Sequence, residues 1–128
     1  MQRDTRQRRA IREAIQRHDR PLLPQEVLDS ASQAVPGLGM ATVYRTLNSG
    51  VEEGWLQPVE MPKQPTRYEP AGKGHHHHFH CEACERVFEI EGCPGRLQSL
   101  VPEGFDMTGH EVTLYGRCRD CRRDKKAT

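Results

Sequence analysis

Apolar residues recur every three or four positions along the first third of the chain, between charged and polar residues. Over residues 5–18 the apolar stripe consists of Ala10, Ile11, Ala14 and Ile15. Arginines fill most of the remaining positions, which is typical of a helix with one buried face. A break containing proline follows, and Pro24 suits the first turn of a second helix.

The same period continues through two further segments. The second helix is predicted to turn Val27, Leu28 and Ala31 inward. A third helix is predicted over residues 40–54, with Val43, Leu47 and Val51 inside. Two short extended pieces, 55–61 and 66–70, flank a turn rich in proline. Three helices and a two-stranded wing predict a winged helix-turn-helix, although small three-helix domains that bind proteins share this pattern.

After the glycine-containing segment 71–74 the period changes from that of helices to that of strands. Residues 75–81, 86–90 and 110–118 alternate between apolar and polar positions, and only a short helix at 95–100 interrupts them. The sequence therefore predicts an α+β protein. We expect a winged-helix DNA-binding domain at 1–70, a hinge at 71–74 and a small α/β lobe at 75–128.

Composition limits how such small lobes are stabilised. Hydrophobic residues make up 34% of the chain and aromatic residues 5%, so both cores are thin and we expect a metal or an oligomer to support them. No apolar run is long enough to span a bilayer, and the basic N-terminus lacks the apolar stretch of a secretory signal. We therefore expect a soluble cytoplasmic protein with no membrane partner.

Charge is unevenly distributed although the net charge is only +1. Residues 1–20 contain seven arginines and three acidic residues, and residues 117–128 contain six basic and two acidic residues. Basic ends on an acidic body favour a polyanion partner. Solvated helix faces would produce the same distribution, so charge alone does not decide between these interpretations.

Cysteines form the strongest chemical motif in the chain. Cys81 and Cys84 form one Cys-x-x-Cys pair, and Cys118 and Cys121 form a second pair after 33 intervening residues. In a reducing compartment such pairs indicate a four-thiolate Zn²⁺ site. A redox dithiol is the alternative. The fifth cysteine, Cys93, stands alone.

Five of the seven histidines fall within residues 75–80, directly before the first cysteine pair. The run is internal, which is unlike a purification tag. On a strand, His76, His78 and His80 would share one face, and His75 and His77 the other. Nitrogen donors with nearby carboxylates suit Zn²⁺, Fe²⁺ or Mn²⁺. The alternative is a set of exposed histidines with loose metal affinity.

Three segments together resemble motifs of the ferric uptake regulator (Fur) family of metal-responsive repressors. They are ATVYRTLN at 41–48, the histidine run before Cys-x-x-Cys, and HEVTLYGRCRDC at 110–121. The resemblance covers roughly residues 3–122. It implies a winged helix followed by a dimerisation lobe, and a homodimer that binds a regulatory metal and represses metal-uptake or stress genes.

The resemblance also implies roles for individual residues. Tyr44 and Arg45 match positions that contact DNA, and Arg3 matches a basic residue that enters the minor groove of an AT-rich palindromic operator. The four paired cysteines match the family's structural zinc site.

The regulatory site maps less completely onto this chain. Glu69, His76 and His78 match three ligands, but Pro21 occupies the position of the usual fourth histidine. Glu60 matches an acidic ligand of zinc-sensing members and completes the expected set.

An auxiliary site is also implied, with His75, His77 and His110 as ligands. Cys93 can replace the usual glutamate, and a buried, inert thiol is the alternative. The unpaired thiol and the missing hinge histidine favour zinc as the regulatory metal, with Fe²⁺ and Mn²⁺ as alternatives. A peroxide-responsive member would need an aspartate ligand, and none is matched. No His-Glu-x-x-His or phosphate-binding loop is present, so we expect no enzyme. A metal-storage or interaction protein is a remote alternative.

Overall fold

A computed structural model describes residues 5–93 and 95–123, so Arg3 lies outside the described residues. The chain divides into two compact units, residues 1–73 and 74–128. Each unit contains helical segments and a small sheet, and this confirms the α+β class expected from the sequence. None of the described helices is long and apolar enough to cross a membrane.

Unit 1 begins with three helices, α1 (Arg6–Arg17), α2 (Pro24–Ala31) and α3 (Met40–Glu53). Each boundary has a local cause. The Thr5 hydroxyl caps α1 by accepting a hydrogen bond from the Arg8 backbone N–H at 3.1 Å. Pro24 occupies the first turn of α2, where a missing N–H has no cost. Gly54 ends α3 with φ +89°, a left-handed conformation that glycine adopts without strain.

The apolar faces of these helices form the core of unit 1. The fully buried side chains are Ile11, Ala14, Ile15, Leu22, Val27, Val43 and Leu47. Val51 was predicted to join them, and that prediction is wrong, because Val51 is 37% exposed. Gly50 is buried instead, and the side chains of Trp55 and Leu56 pack directly across it. The side of α3 that packs against Trp55 and Leu56 therefore contains Gly50, and Val51 lies outside it.

Strands β1 (Leu56–Val59) and β2 (Arg67–Pro70) form the antiparallel wing, with Gln57 opposite Glu69. Leu22, in the loop between α1 and α2, exchanges two backbone hydrogen bonds with Tyr68 at 2.8 and 2.9 Å. This bridge joins the wing to the helices.

Unit 2 contains a three-stranded sheet in the order β4–β3–β5, formed by β3 (His76–Cys81), β4 (Val87–Glu91) and β5 (Thr113–Gly116). β3 pairs antiparallel with β4 and parallel with β5. The helix predicted at 95–100 is a single 3₁₀ turn, Leu97–Leu100. A short helix that the sequence analysis missed, α4 (Arg119–Arg123), follows β5.

Candidate metal centres and DNA-binding helix

The four paired cysteines come from four places in unit 2. Cys81 ends β3, Cys84 lies in the turn toward β4, Cys118 follows β5, and Cys121 lies on α4. The parallel pairing of β3 with β5 places Cys81 opposite Gly116, so both pairs meet at the same end of the sheet. The second Cys-x-x-Cys thus spans a helical turn, whereas the first spans the β3–β4 turn.

The sulfur atoms of these cysteines match the size of a tetrahedral zinc site. All four lie within 4.8 Å of one another, and Cys84 Sγ is 3.9 Å from Cys118 Sγ. Zinc–sulfur bonds of about 2.3 Å give a tetrahedron with edges of about 3.8 Å. All four thiols are free, since no disulfide joins them. This donor set therefore fits Zn²⁺ without rearrangement.

Protonation within the cluster is unequal. Burial raises the pKa of Cys81, but backbone N–H groups, among them those of Cys84 and Cys118, outweigh burial and lower that pKa to about 6. Burial and hydrogen bonds from the other thiols raise the pKa of Cys121 to about 12. Arg86 Nε donates to Cys84 Sγ at 3.2 Å and places a positive charge beside the thiolates. A bound dication would displace the remaining protons.

The histidine run alternates across β3. The His76 and His78 rings lie 5.0 Å apart on one face, and the His75 and His77 rings lie 4.5 Å apart on the other. His80 shares the first face but is engaged elsewhere, because its Nε2 lies 2.9 Å from Glu85 Oε2. The run therefore supplies two separate pairs of imidazoles.

A carboxylate that the sequence analysis missed lies beside the first pair. Glu89 on β4 is directly opposite His78, and its Oε1 is 3.3 Å from His76 Nε2. Only 12% of the Glu89 side chain is exposed, so this contact is shielded from water. The tight turn after Cys81 fixes the register of the hairpin. No local pattern in the sequence indicated Glu89, because its contact with His76 depends on this register.

The two wing glutamates differ in their surroundings. Glu69 is fully buried on β2, and its Oε2 accepts a hydrogen bond from Gln57 Nε2 at 2.8 Å. Glu60 is exposed and follows β1, three residues beyond Gln57, which is about 10 Å farther along the ribbon. Glu60 belongs to no cluster of three or more ligand atoms in the described ranges 5–93 and 95–123. The structure does not bring it beside Glu69.

The second imidazole pair is part of a larger cluster. Ligand atoms of His75, His77, Cys93 and His110 all lie within 4.8 Å of one another. His110 Nε2 is 3.1 Å from His75 Nε2 and 3.1 Å from Cys93 Sγ. The structure thus brings together the four residues named for the auxiliary site.

One face of α3 is open to solvent. Tyr44 is 48% exposed, and Ala41, Arg45 and Asn48 are also exposed at intervals of three and four residues. Arg45 Nη2 donates to Thr42 Oγ1 at 3.0 Å, which orients the guanidinium along the helix. Polar side chains on an exposed helix of this kind suit the major groove of DNA.

The α1 arginines are largely engaged within unit 1. Arg6 donates to the Ala34 carbonyl, Arg8 pairs with Glu53 at 3.2 Å, and Arg12 stacks on the Trp55 ring. These contacts hold three of the α1 side chains against unit 1, and one of them pairs an arginine with a carboxylate. Charge at this end is therefore a weaker argument for a polyanion partner than the exposed face of α3.

Comparison with known proteins assigns this arrangement to a family. The model of the ferric uptake regulator family matches residues 2–115. The chain belongs to the ferric uptake regulator family. Members of the Fur family are metal-responsive transcriptional regulators, so this chain is a regulator of that kind and not an enzyme at the level of the family.

Relatives within the Fur family are named after different metals, some after iron and others after zinc. The ferric uptake regulation protein of Campylobacter jejuni is 36% identical over 94% of this chain and 80% of its own length. The zinc uptake regulation protein of Mycobacterium tuberculosis is 30% identical over 94% of this chain and 95% of its own length. The solved Helicobacter pylori regulator, described as having three functional metal binding sites, matches with a TM-score of 0.73 and 26% identity over 96% of this chain and 84% of that chain.

Proposed function

We propose that this protein is a zinc-responsive, DNA-binding repressor of metal-uptake genes that acts as a homodimer on an AT-rich palindrome. The observation that carries the proposal is the imidazole pair of His76 and His78, with Glu89 Oε1 3.3 Å from His76 Nε2, close in sequence to the boundary between the units at residues 73 and 74. Because His76 lies only a few residues after the DNA-binding unit ends, a metal bound there can influence that unit.

DNA binding is assigned to the exposed face of α3. The Tyr44 ring can contact a thymine methyl, and the Arg45 guanidinium can donate to a guanine edge or a phosphate. Both side chains point away from the core of unit 1, as their exposure indicates. The family resemblance adds Arg3 in the minor groove.

The regulatory metal is assigned to His76, His78 and Glu89 of unit 2 together with Glu69 of unit 1. The resemblance supplies Glu69, and its burial as a carboxylate with a hydrogen-bonded partner is consistent with a ligand held in place. A metal that binds groups from both units favours the arrangement of units in which all of them reach it. Glu60 is the least supported member of the original set.

Zinc is favoured because few protein ligands are available. Pro21 stands where the resemblance expects a histidine, so the site offers two imidazoles and two carboxylates. Zn²⁺ accepts four ligands in a tetrahedron, whereas Mn²⁺ prefers six oxygen-rich positions.

Iron sensing is the second candidate, and one observation favours it. Identity to the Campylobacter jejuni ferric regulator, 36%, exceeds identity to the Mycobacterium tuberculosis zinc regulator, 30%. The two nitrogen and two oxygen donors also accept Fe²⁺.

Dimerisation is assigned to unit 2. β5 has a strand partner on one edge only within the described part of the sheet, and its Leu114 and Tyr115 side chains are half exposed. Leu100 and Phe105 are 76% and 68% exposed and line an apolar depression in the same unit. An open strand edge with exposed apolar side chains suits a second copy of the chain.

The test begins by selecting DNA from a random duplex pool with the zinc-loaded protein. Binding of the selected duplex is then measured by fluorescence anisotropy during Zn²⁺, Fe²⁺ and Mn²⁺ titrations under anaerobic conditions. We expect Zn²⁺ to activate binding at the lowest free concentration. Activation by Fe²⁺ alone would establish the second candidate instead.

Variants of the histidine run locate the switch. His76→Ala and His78→Ala should abolish metal-activated binding while the four-cysteine zinc and the dimer remain. His75→Ala, an adjacent substitution on the opposite face, is the matched control and should have a smaller effect. Normal metal dependence in the His76 and His78 variants would rule out the proposed switch.

A further inference from the structure

The cluster of His75, His77, Cys93 and His110, called here the thiolate–imidazole site, lies entirely in unit 2. Its ligands come from three separated stretches of chain. His75 and His77 are at the start of β3, Cys93 follows β4, and His110 precedes β5. A metal bound to all four would therefore cross-link the two outer connections of the sheet to its central strand.

The geometry of this site suits a small metal ion. His110 Nε2 is 3.1 Å from His75 Nε2 and from Cys93 Sγ. In a tetrahedron with metal–nitrogen bonds of about 2.1 Å and a metal–sulfur bond of about 2.3 Å, the corresponding edges are about 3.4 and 3.6 Å. All four ligand atoms lie within 4.8 Å of one another, which is the size of a site for one metal ion.

A buried imidazole points to a ligand at the centre of this site. His77 is only 3% exposed, and its Nε2 has no hydrogen-bond partner among the described residues. A buried polar nitrogen without a partner is costly, and coordination to a metal removes that cost. A metal binds the neutral form of imidazole through the lone pair of one ring nitrogen. In His77, Nε2 can offer that lone pair, since no hydrogen bond from the described residues occupies it.

The donor atoms decide which metal the site takes. It offers three imidazole nitrogens and one thiolate, and no carboxylate oxygen belongs to the cluster within the described ranges. Thiolate and imidazole donors select zinc-like ions, whereas Mn²⁺ depends on oxygen donors. We propose that Cys93 makes the thiolate–imidazole site selective for Zn²⁺ over Mn²⁺, which distinguishes it from a carboxylate-containing site of the same shape.

This selectivity does not depend on DNA binding, so it can fail or succeed independently of the proposed repression. Exposure of Cys93 also allows the ion to exchange with solvent, since the thiol is at the surface while His77 is buried. The site thus combines one accessible ligand with one fixed ligand. We expect exchangeable zinc here and retained zinc at the four cysteines.

Cobalt substitution tests the thiolate directly. Protein that retains one zinc ion at the four cysteines is titrated with Co²⁺ without oxygen, and the near-ultraviolet sulfur-to-cobalt charge-transfer band is recorded. We expect the band to grow as the site fills, and to be absent in Cys93→Ser, while the zinc content of both proteins stays the same. The regulatory ligands contain no sulfur, so their filling adds no such band.

Competition then measures the selectivity. Stoichiometric Zn²⁺ should remove the band from the wild-type protein, and a hundredfold excess of Mn²⁺ should leave it. Cys93→Glu supplies a carboxylate at the same position. Mn²⁺ should then displace Co²⁺ from the site, which is measured as a loss of the visible Co²⁺ absorption bands. Circular dichroism confirms that each variant is folded. A band that persists in Cys93→Ser, no band in the wild-type protein, or displacement of its band by Mn²⁺ would overturn the proposal.

Discussion

Arg45 offers a sharp test of the proposed DNA-binding face. Its guanidinium is exposed on α3 and is oriented by the Thr42 hydroxyl at 3.0 Å. Because this orientation exists before DNA arrives, less side-chain entropy is lost when a base or phosphate is bound. Arg45→Ala removes the contact without disturbing the core, since the side chain does not enter it.

The expected effect follows from the number of contacts. One side chain that reads a base contributes about 1–3 kcal/mol. A symmetric dimer presents two copies of Arg45, so the loss is about 2–6 kcal/mol per operator complex. Since about 1.4 kcal/mol corresponds to a tenfold change in Kd, binding should weaken by at least about 30-fold.

Anisotropy titrations on the selected duplex and on a scrambled duplex distinguish base from phosphate contacts. If Arg45 contacts a base, the ratio of the Kd for the scrambled duplex to the Kd for the selected duplex is smaller in Arg45→Ala than in the wild-type protein. If it contacts a phosphate, both Kd values rise and the salt slope decreases by about one charge per copy. Arg9→Ala removes the same charge from α1 and is the control for general electrostatics. A Kd for Arg45→Ala within about twofold of wild type, with normal metal content, would refute the assignment of this face.

Three further outcomes are expected. Cys118→Ser should release the structural zinc and lower the urea midpoint of unit 2, as measured by zinc analysis and circular dichroism; retained zinc would contradict the four-cysteine assignment. Gly50→Ala should destabilise unit 1 by about 1–2 kcal/mol, because the new Cβ would lie 2.7 Å from the Leu56 side chain. Gly39→Ala is the control, since a Cβ there has no neighbour within 4 Å in the described part of the chain, and equal urea midpoints for the two variants would refute this packing. Burial and then neighbouring arginines lower the pKa of His18, so its neutral form stabilises the fold above about pH 6.5 and this stabilisation is lost as pH falls. His18→Gln should therefore reduce the acid sensitivity of urea unfolding, and an unaltered pH slope would refute it.

Sequence patterns predicted most of the regular structure of this protein. The helix at 5–18 is observed as Arg6–Arg17, and the third helix, predicted over residues 40–54, is observed as Met40–Glu53. The wing strands lie within the two extended pieces predicted beside the proline-rich turn, and β3 lies where alternation predicted it. These features depend on neighbours three or four residues away, which the sequence specifies directly. α4 was missed because five residues are too few to establish a helical period.

Metal chemistry was predicted in part for the same reason. Pairs of cysteines and alternating histidines reveal their donor types through local spacing alone. Glu89 was missed because its proximity to His76 and His78 depends on the register of two strands. Glu60 was included among the expected regulatory ligands because its position in the sequence resembles that of a family ligand. Such a resemblance does not reveal the distance along the wing that separates Glu60 from Glu69.

The sequence by itself therefore determined the helices, the strands, the donor types and the family resemblance. The tertiary structure alone decided which distant side chains meet: Glu89 beside the first histidine pair, and Cys93 with His110 beside the second. It also decided that packing across Gly50 leaves Val51 exposed. The physical reason is that local periodicity fixes the direction of a side chain about its own helix or strand. Strand register, loop closure and the shapes of packed neighbours determine what that side chain faces.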